Sequence, residues 1–299
     1  MKSYTQSRTD YGVDTKNTAT ANLTYGDGQM NDFHRRLLVK ADWPFLHRIR
    51  TTSTKADTSF VALPYDVDLV ESVSVTVGTT IYTPKPVANR DEWDRLHYSS
   101  YTSDTPEKWF VYNGQIGIWP KPTTSGSTIS LNCKVKPVDL NVADYTTGTV
   151  TSITNNDETL TISGSTLTYP MTGRWARITL DDGTDSGDGQ WYEISSITST
   201  TVLELVRPYG GTTISGGSQA YTIGMMPLLP EAFHSLPEQY AAYRYWAKEK
   251  DAERAISYKE MVDEGVESLF TAYGFNDLSM VVDDGHNGGI INPNLTIQL

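Results

Sequence analysis

The sequence predicts an α+β fold: a helical body of one N-terminal helix and a C-terminal helical hairpin, a layer of β-hairpins, and an inserted all-β small barrel. Three observations predict it. Apolar residues recur at three- and four-residue spacings towards both ends of the chain, at Met30, Phe33, Leu37 and Ala41 and again at Phe233, Leu236, Tyr240, Tyr243 and Ala247. Between these stretches the pattern shifts to a period of two, as at Val73, Val75 and Val77, which marks strands. The third is a series of short strand-like segments from about Gly148 to Ile223, separated by glycine and asparagine turns, the spacing of a small barrel or sandwich.

Taken in order, residues 1–25 hold few large apolar side chains and are expected to form an extended arm. They lack the apolar core of a secretory signal. The Met30–Ala41 helix should stop before Pro44, because proline disfavours helical geometry at the preceding Trp43. Strands follow in "SFVALP", "ESVSVTVGTTIYTPKP" and "TISLNCKVKP". In "KWFVYNGQIGIWPKP", Asn113-Gly114 between apolar runs is the signature of a two-residue type I′ hairpin. "NRDEWDRLHY" reads as a short helix or turn bearing Trp93 and Leu96. Six strands are expected in the barrel: "TVTSIT", "TLTISG", "RWARITL", "QWYEISSI", "VLELV" and "AYTI". Ser235 should then cap a helix, with Glu238 closing a capping box. A turn within "KEKDAER" leads to a second helix whose stripe runs through Tyr258, Val262, Val266, Leu269, Phe270 and Tyr273 and stops at Gly274. The expected divisions are an arm over 1–25, a body over 26–144 and 226–275, a barrel over 145–225 and a tail over 276–299.

Charge and chemistry narrow the function. With 24 basic against 36 acidic residues the net charge is −12, which is not the electrostatic footprint of a protein that grips phosphates. No apolar run approaches the ~20 residues of a membrane span. The single cysteine, Cys133, rules out an internal disulfide framework and lies in a strand pattern, where it reads as a packed side chain. His34, His47, His97, His234 and His286 are scattered without metal-ligand spacing, and His234 reads as a polar group near a helix start. Nucleophile-elbow, phosphate-loop and dinucleotide motifs are missing. The expectation is no enzyme, no cofactor and no metal. Two alternatives stay open. "DDGTDSGDGQW", with Asp181 and Asp188, is either a polar hairpin loop or a cation loop that lacks the EF-hand spacing. Trp175, Trp191, Tyr192 and Tyr209 either fill the barrel or form a sugar-stacking platform.

The order of several motifs resembles the head-to-tail adaptor proteins of tailed bacteriophages, also called head completion, gatekeeper or tail tubular A-type proteins. The motifs are "MNDFHRRLLVKADWPFL", "FVALPYDVDLVESVSVTVGTTIY", "TPEKWFVYNGQIGIWPKPTTSGSTISLNCKVKPVDL" and the closing "MPLLPEAFHSLPEQYAAYRYWAKEKDAERAISYKEMVDEGVESLFTAYG". Residues 145–225 resemble small β modules inserted in phage structural proteins. The resemblance implies a structural virion protein assembled in the host cytoplasm. It would form a ring, expected to be a dodecamer, at the neck. There it would bind the portal protein on one side and tail or nozzle proteins on the other, and viral DNA would pass through its channel without specific binding. Ile290, Ile291, Leu295, Ile297 and Leu299 in the tail are then expected to contact the portal or a neighbouring subunit. The alternative is a receptor- or carbohydrate-binding tail protein with the barrel as its recognition module.

Overall fold

The computed structural model describes residues 1–180 and 187–274. Helix α1 (Tyr4–Asp14) is followed by α2 (Thr20–Val39), so residues 1–25 are not the extended arm expected from their composition. The physical reason is a buried face without aliphatic residues: α1 packs through Tyr4, Ser7, Tyr11 and Gly12. Tyr11 Oη donates to Asn22 Oδ1 at 2.8 Å, while Asn22 Nδ2 donates to Thr15 Oγ1 at 3.0 Å and to the Asn17 carbonyl at 2.7 Å. Leaving such buried groups unpaired would cost about 1–3 kcal/mol each. Gly26 admits the Tyr11 ring against α2, since a Cβ there would lie 2.3 Å from it. Helix α2 therefore starts well before Met30.

Past α2, a 3-10 turn over Pro44–Leu46 redirects the chain beneath the helix end. Trp43 is fully buried there and its Nε1 donates to the Leu37 carbonyl at 3.1 Å. The strands that follow are β1 (His47–Ser53), β2 (Phe60–Ala62), β3 (Val67–Val77), β4 (Thr80–Tyr82) and β5 (Lys85–Pro86). Helix α3 (Arg90–His97) intervenes, capped by Asn89 Oδ1, which accepts from the Glu92 amide at 2.9 Å. Then come β6 (Lys108–Tyr112), β7 (Gln115–Trp119) and β8 (Thr128–Val135). They form two four-stranded sheets, β1-β8-β3-β4 and β2-β7-β6-β5. Asn113 and Gly114 have φ of 50° and 71°, the left-handed pair that a type I′ turn demands.

The barrel comprises β9 (Thr149–Ile153), β10 (Thr159–Ser163), β11 (Trp175–Ile178), β12 (Trp191–Ile197), β13 (Val202–Leu205), β14 (Ile214–Gln219) and β15 (Tyr221–Gly224). Its sheet order is β14-β9-β10-β13-β12-β11-β15. The two edge strands are successive lengths of one chain with only Ala220 between them, so the sheet curls back on itself. Strand β14 is the one the sequence did not announce. Its "ISGGSQ" has low β propensity, and its register with β9 shifts between Ser215 and Gln219. The chain enters and leaves side by side, for Tyr145 and Ile223 exchange backbone hydrogen bonds of 2.9 and 2.8 Å.

Helices α4 (Leu236–Lys248) and α5 (Ala252–Tyr273) close the described chain, turning through Lys250 at φ 62°. Ser235 stands at the N-cap position as expected, but its backbone is already helical and its side chain makes no capping bond, so the capping box does not form. A 3-10 turn over Glu231–Phe233 leads into the helix instead, and Glu238 is drawn away to pair with Lys2. Apolar burial falls into three clusters. One seats α2, α4 and α5 on β3, β6, β7 and β8, through residues such as Phe33, Leu131, Tyr240, Val262 and Leu269. A second joins α1, α2 and α4. The third fills the barrel.

Candidate functional site at the body and barrel seam

The strand alternation of β1 exposes Ile49 and turns Arg50 inward, where its side chain is fully buried. Arg50 Nε and Nη2 donate to Asp66 Oδ2 at 2.9 and 2.6 Å, and Nη2 also donates to Glu193 Oε1 at 2.5 Å. Arg48 Nε lies 3.4 Å from Glu193 Oε2. Asp66 follows the Leu-Pro-Tyr turn before β3, whereas Glu193 stands on β12 of the barrel. Two guanidinium groups thus face two carboxylates, and the seam is electrically balanced. Burial works to lower the Arg50 pKa, but Glu193 and Asp66 outweigh it and hold the group above its ordinary value. Such an ion set adds little net stability over an apolar packing, yet removing one partner is costly. Its directional bonds fix the angle of the barrel on the body.

Gly173 completes the seam. It has φ of 81°, and a Cβ would come within 2.6 Å of Asp66 Oδ2. Beside it Arg174 Nη2 donates to the carbonyls of Ala143 at 2.8 Å and Ile223 at 3.0 Å, tying together the chain's entry to and exit from the barrel. Burial lowers the Arg174 pKa, with Asp144 opposing. Next to these residues lies a cleft of about 200 Å³. Its apolar lining is Val138, Val142, Pro170, Met171, Met225 and Leu228. Its polar lining includes Asp66, Thr172 and Arg174, and each of these has a buried atom without a hydrogen-bond partner: Oδ1, Oγ1 and Nε respectively.

The residues singled out from sequence fare differently. Tyr192 and Tyr209 are barrel core, with ring centroids 5.5 Å apart, while Trp175 and Trp191 are half-buried on its outside. The four rings therefore do not share one exposed platform. Asp188 accepts from Tyr192 Oη at 2.5 Å and from the Gln190 amide at 3.0 Å. Asp181 lies outside the described residues. Cys133 is buried and its thiol is pushed up to about 11 by burial. His34 is enclosed in the core, where Nε2 accepts from the Leu228 amide at 2.9 Å, and burial lowers its pKa to about 3. His234 Nε2 lies 2.9 Å from the Leu229 carbonyl. Ile290, Ile291, Leu295, Ile297 and Leu299 lie outside the described residues. Among the described residues no group of three or more His, Cys, Asp or Glu is placed to hold a metal ion, and no helix is long and apolar enough to cross a membrane.

Sequence reasoning missed Arg50, Asp66 and Glu193. The only signal was an arginine at an inward position of a strand, and inward cannot be told from outward in "HRIRTTS" without its sheet partners.

The described residues form an α+β body with a hairpin layer and a closing helical pair, and a buried ion set joins the barrel to it. The sequence profile of the SU10 adaptor protein family matches residues 6–161, just over half of the 299 residues. The chain belongs to this family of phage adaptors, and is a structural protein of the virion. A comparison with curated protein sequences gave no match.

Proposed function

We propose that the protein forms a ring at the phage neck, joining the portal to the tail and extending the DNA channel. What carries the reading is that α4 and α5, which lie beyond the family match, share one apolar core with α2 and the β3–β8 sheet. The matched part up to the entry of the barrel and the C-terminal hairpin are thus a single body, and the last matched residues, 145–161, lie in the barrel. Residues 145–225 are its inserted module: their apolar cluster contains no residue from outside that range, and the Tyr145–Ile223 backbone pair brings its two ends together. An insertion whose ends meet adds little closure entropy to the host fold.

The net charge of −12 suits a channel through which DNA slides without sticking, since like charge repels. Tail residues Ile290, Ile291, Leu295, Ile297 and Leu299 serve as an arm toward the portal or an adjacent subunit. Native mass spectrometry of the purified protein, alone and with portal protein, tests the reading. A closed assembly near twelve copies is expected. A species that stays monomeric or trimeric under both conditions would contradict it.

A further inference from the structure

Helix α4 packs along both α2 and α5, which share no comparable contact with each other. It lies between them, and α2 and α5 form the two flanks of the helical layer. Phe33 of α2 stacks on Tyr240 of α4 with ring centroids 4.8 Å apart. Gly265 of α5 lies against Leu236 of α4, whose side chain is 2.4 Å from where a Cβ would stand. Trp43, just past α2, meets Phe270 of α5 with centroids 4.8 Å apart. The C-terminal halves of α2 and α5 thus stand at one level, on opposite sides of α4.

At that level the two flanks carry opposite charge. On α5, Glu260, Glu264 and Glu267 are exposed. Among the described residues none of them is in an ion pair, because the adjacent Lys259 is taken by Asp263. Like charges three and four residues apart work against a helix on its own, so the stability of α5 does not account for them. On α2, Arg35, Arg36 and Lys40 are exposed. Arg35 pairs with Asp139 and Arg36 with Asp32, both in well-exposed contacts of a kind that holds little. Lys40 has no ion partner among the described residues.

Each flank also exposes aliphatic surface among these charges: Val39 is 79% accessible on α2, and Ile256 and Met261 are 57% and 50% accessible on α5. An apolar centre within a polar rim is the anatomy of a protein interface. The shapes match as well. A Cβ on Gly28 would meet nothing within 4 Å, which leaves a gap in the outer face of α2. Tyr25 Oη donates to the Arg244 carbonyl at 3.4 Å, and Arg244 and Ile256 lie equally far from the Lys250 turn. The Gly28 gap is therefore at the level of the Ile256 knob.

We propose that the basic outer face of α2 in one copy docks on the acidic outer face of α5 in the next, with Arg36 and Val39 central on one side and Glu264 on the other. The inference rests on the ring reading and names the two surfaces that close the ring. A ring needs a heterologous contact, in which two different surfaces meet, and the flanks of α4 supply one of each sign. Opposite charge fixes the register and discourages like flanks from pairing.

The test uses two full-length single variants, Val39→Cys and Ser268→Cys, each with the buried natural Cys133, treated with a short bismaleimide. Mixing the two chains should give a two-copy product at least ten-fold faster than mixing Ile81→Cys with Ser268→Cys, whose first site is exposed on β4. Neither variant alone should give it. A product from one variant alone, or a rate no higher than the control, overturns the proposal. Charge reversal checks it independently of the cysteines. Arg35→Glu with Arg36→Glu, or Glu264→Lys with Glu267→Lys, should raise the concentration for half assembly at least ten-fold, with an unchanged circular dichroism spectrum. Combining all four substitutions should restore assembly, and reversals that assemble like the wild type reject these faces. Native mass spectrometry of the wild type keeps the two claims apart. A ring that forms without the crosslink rejects the α2–α5 contact alone, and a wild type that stays monomeric even with portal protein rejects the ring and the contact together.

Discussion

At the scale of single residues, Arg50 is a fully buried cation shared by two carboxylates. Its guanidinium reaches Asp66 and Glu193 from a site closed to water. Replacing it by leucine leaves two carboxylates facing each other in the seam. Arg50→Leu is expected to lower the unfolding free energy by about 3–5 kcal/mol, measured by denaturant titration at pH 7; a loss under about 1 kcal/mol would mean that the seam is wet and the ion set ornamental. His34 offers a second prediction. Its folded-state pKa of about 3 lies below the ordinary 6.5, because burial disfavours the charged ring. The unfolded chain therefore binds the extra proton between those values, and the contribution present above pH 6.5 is lost as pH falls towards 3. Glu238, raised to about 7 mainly by burial and only partly opposed by Lys2, acts oppositely. It destabilises the fold as pH rises from 4.5 to 7. Comparing wild type with His34→Gln cancels the Glu238 effect. The stability gap between them should shrink by about 2 kcal/mol between pH 6.5 and 5, and a gap independent of pH would refute the assignment.

Elements show where sequence was sufficient. The helical pair α4–α5 was legible because its apolar residues keep a 3–4 spacing that only a helix places on one face. The β6–β7 hairpin was legible because Asn113-Gly114 specifies its turn. Helix α1 was not, since it packs through tyrosine, serine and glycine, and its hydrogen-bond partner Asn22 sits on a different helix. Gly26 and Gly28 make this testable on one element. Gly26→Ala drives a Cβ into the Tyr11 ring and should cost about 1–3 kcal/mol. Gly28 has open space around its would-be Cβ, so Gly28→Ala should gain up to about 1 kcal/mol from helix propensity. Thermal unfolding distinguishes the two, and equal shifts would show that α1 does not pack as described. The seam residues were illegible for a related reason. Arg50 and Glu193 are far apart in sequence, and only the docking of barrel on body brings them together.

At the scale of the whole molecule, one apolar core unites α2 and the β3–β8 sheet with the C-terminal hairpin, while the barrel keeps its own core and meets the body through a neutral ion set and a cleft. Electron microscopy of the purified protein mixed with its portal protein tests the proposed ring at the portal. A ring coaxial with the portal is expected, with an uninterrupted central channel bearing negative potential. Separate particles, or a ring whose lumen is strongly positive, would contradict it.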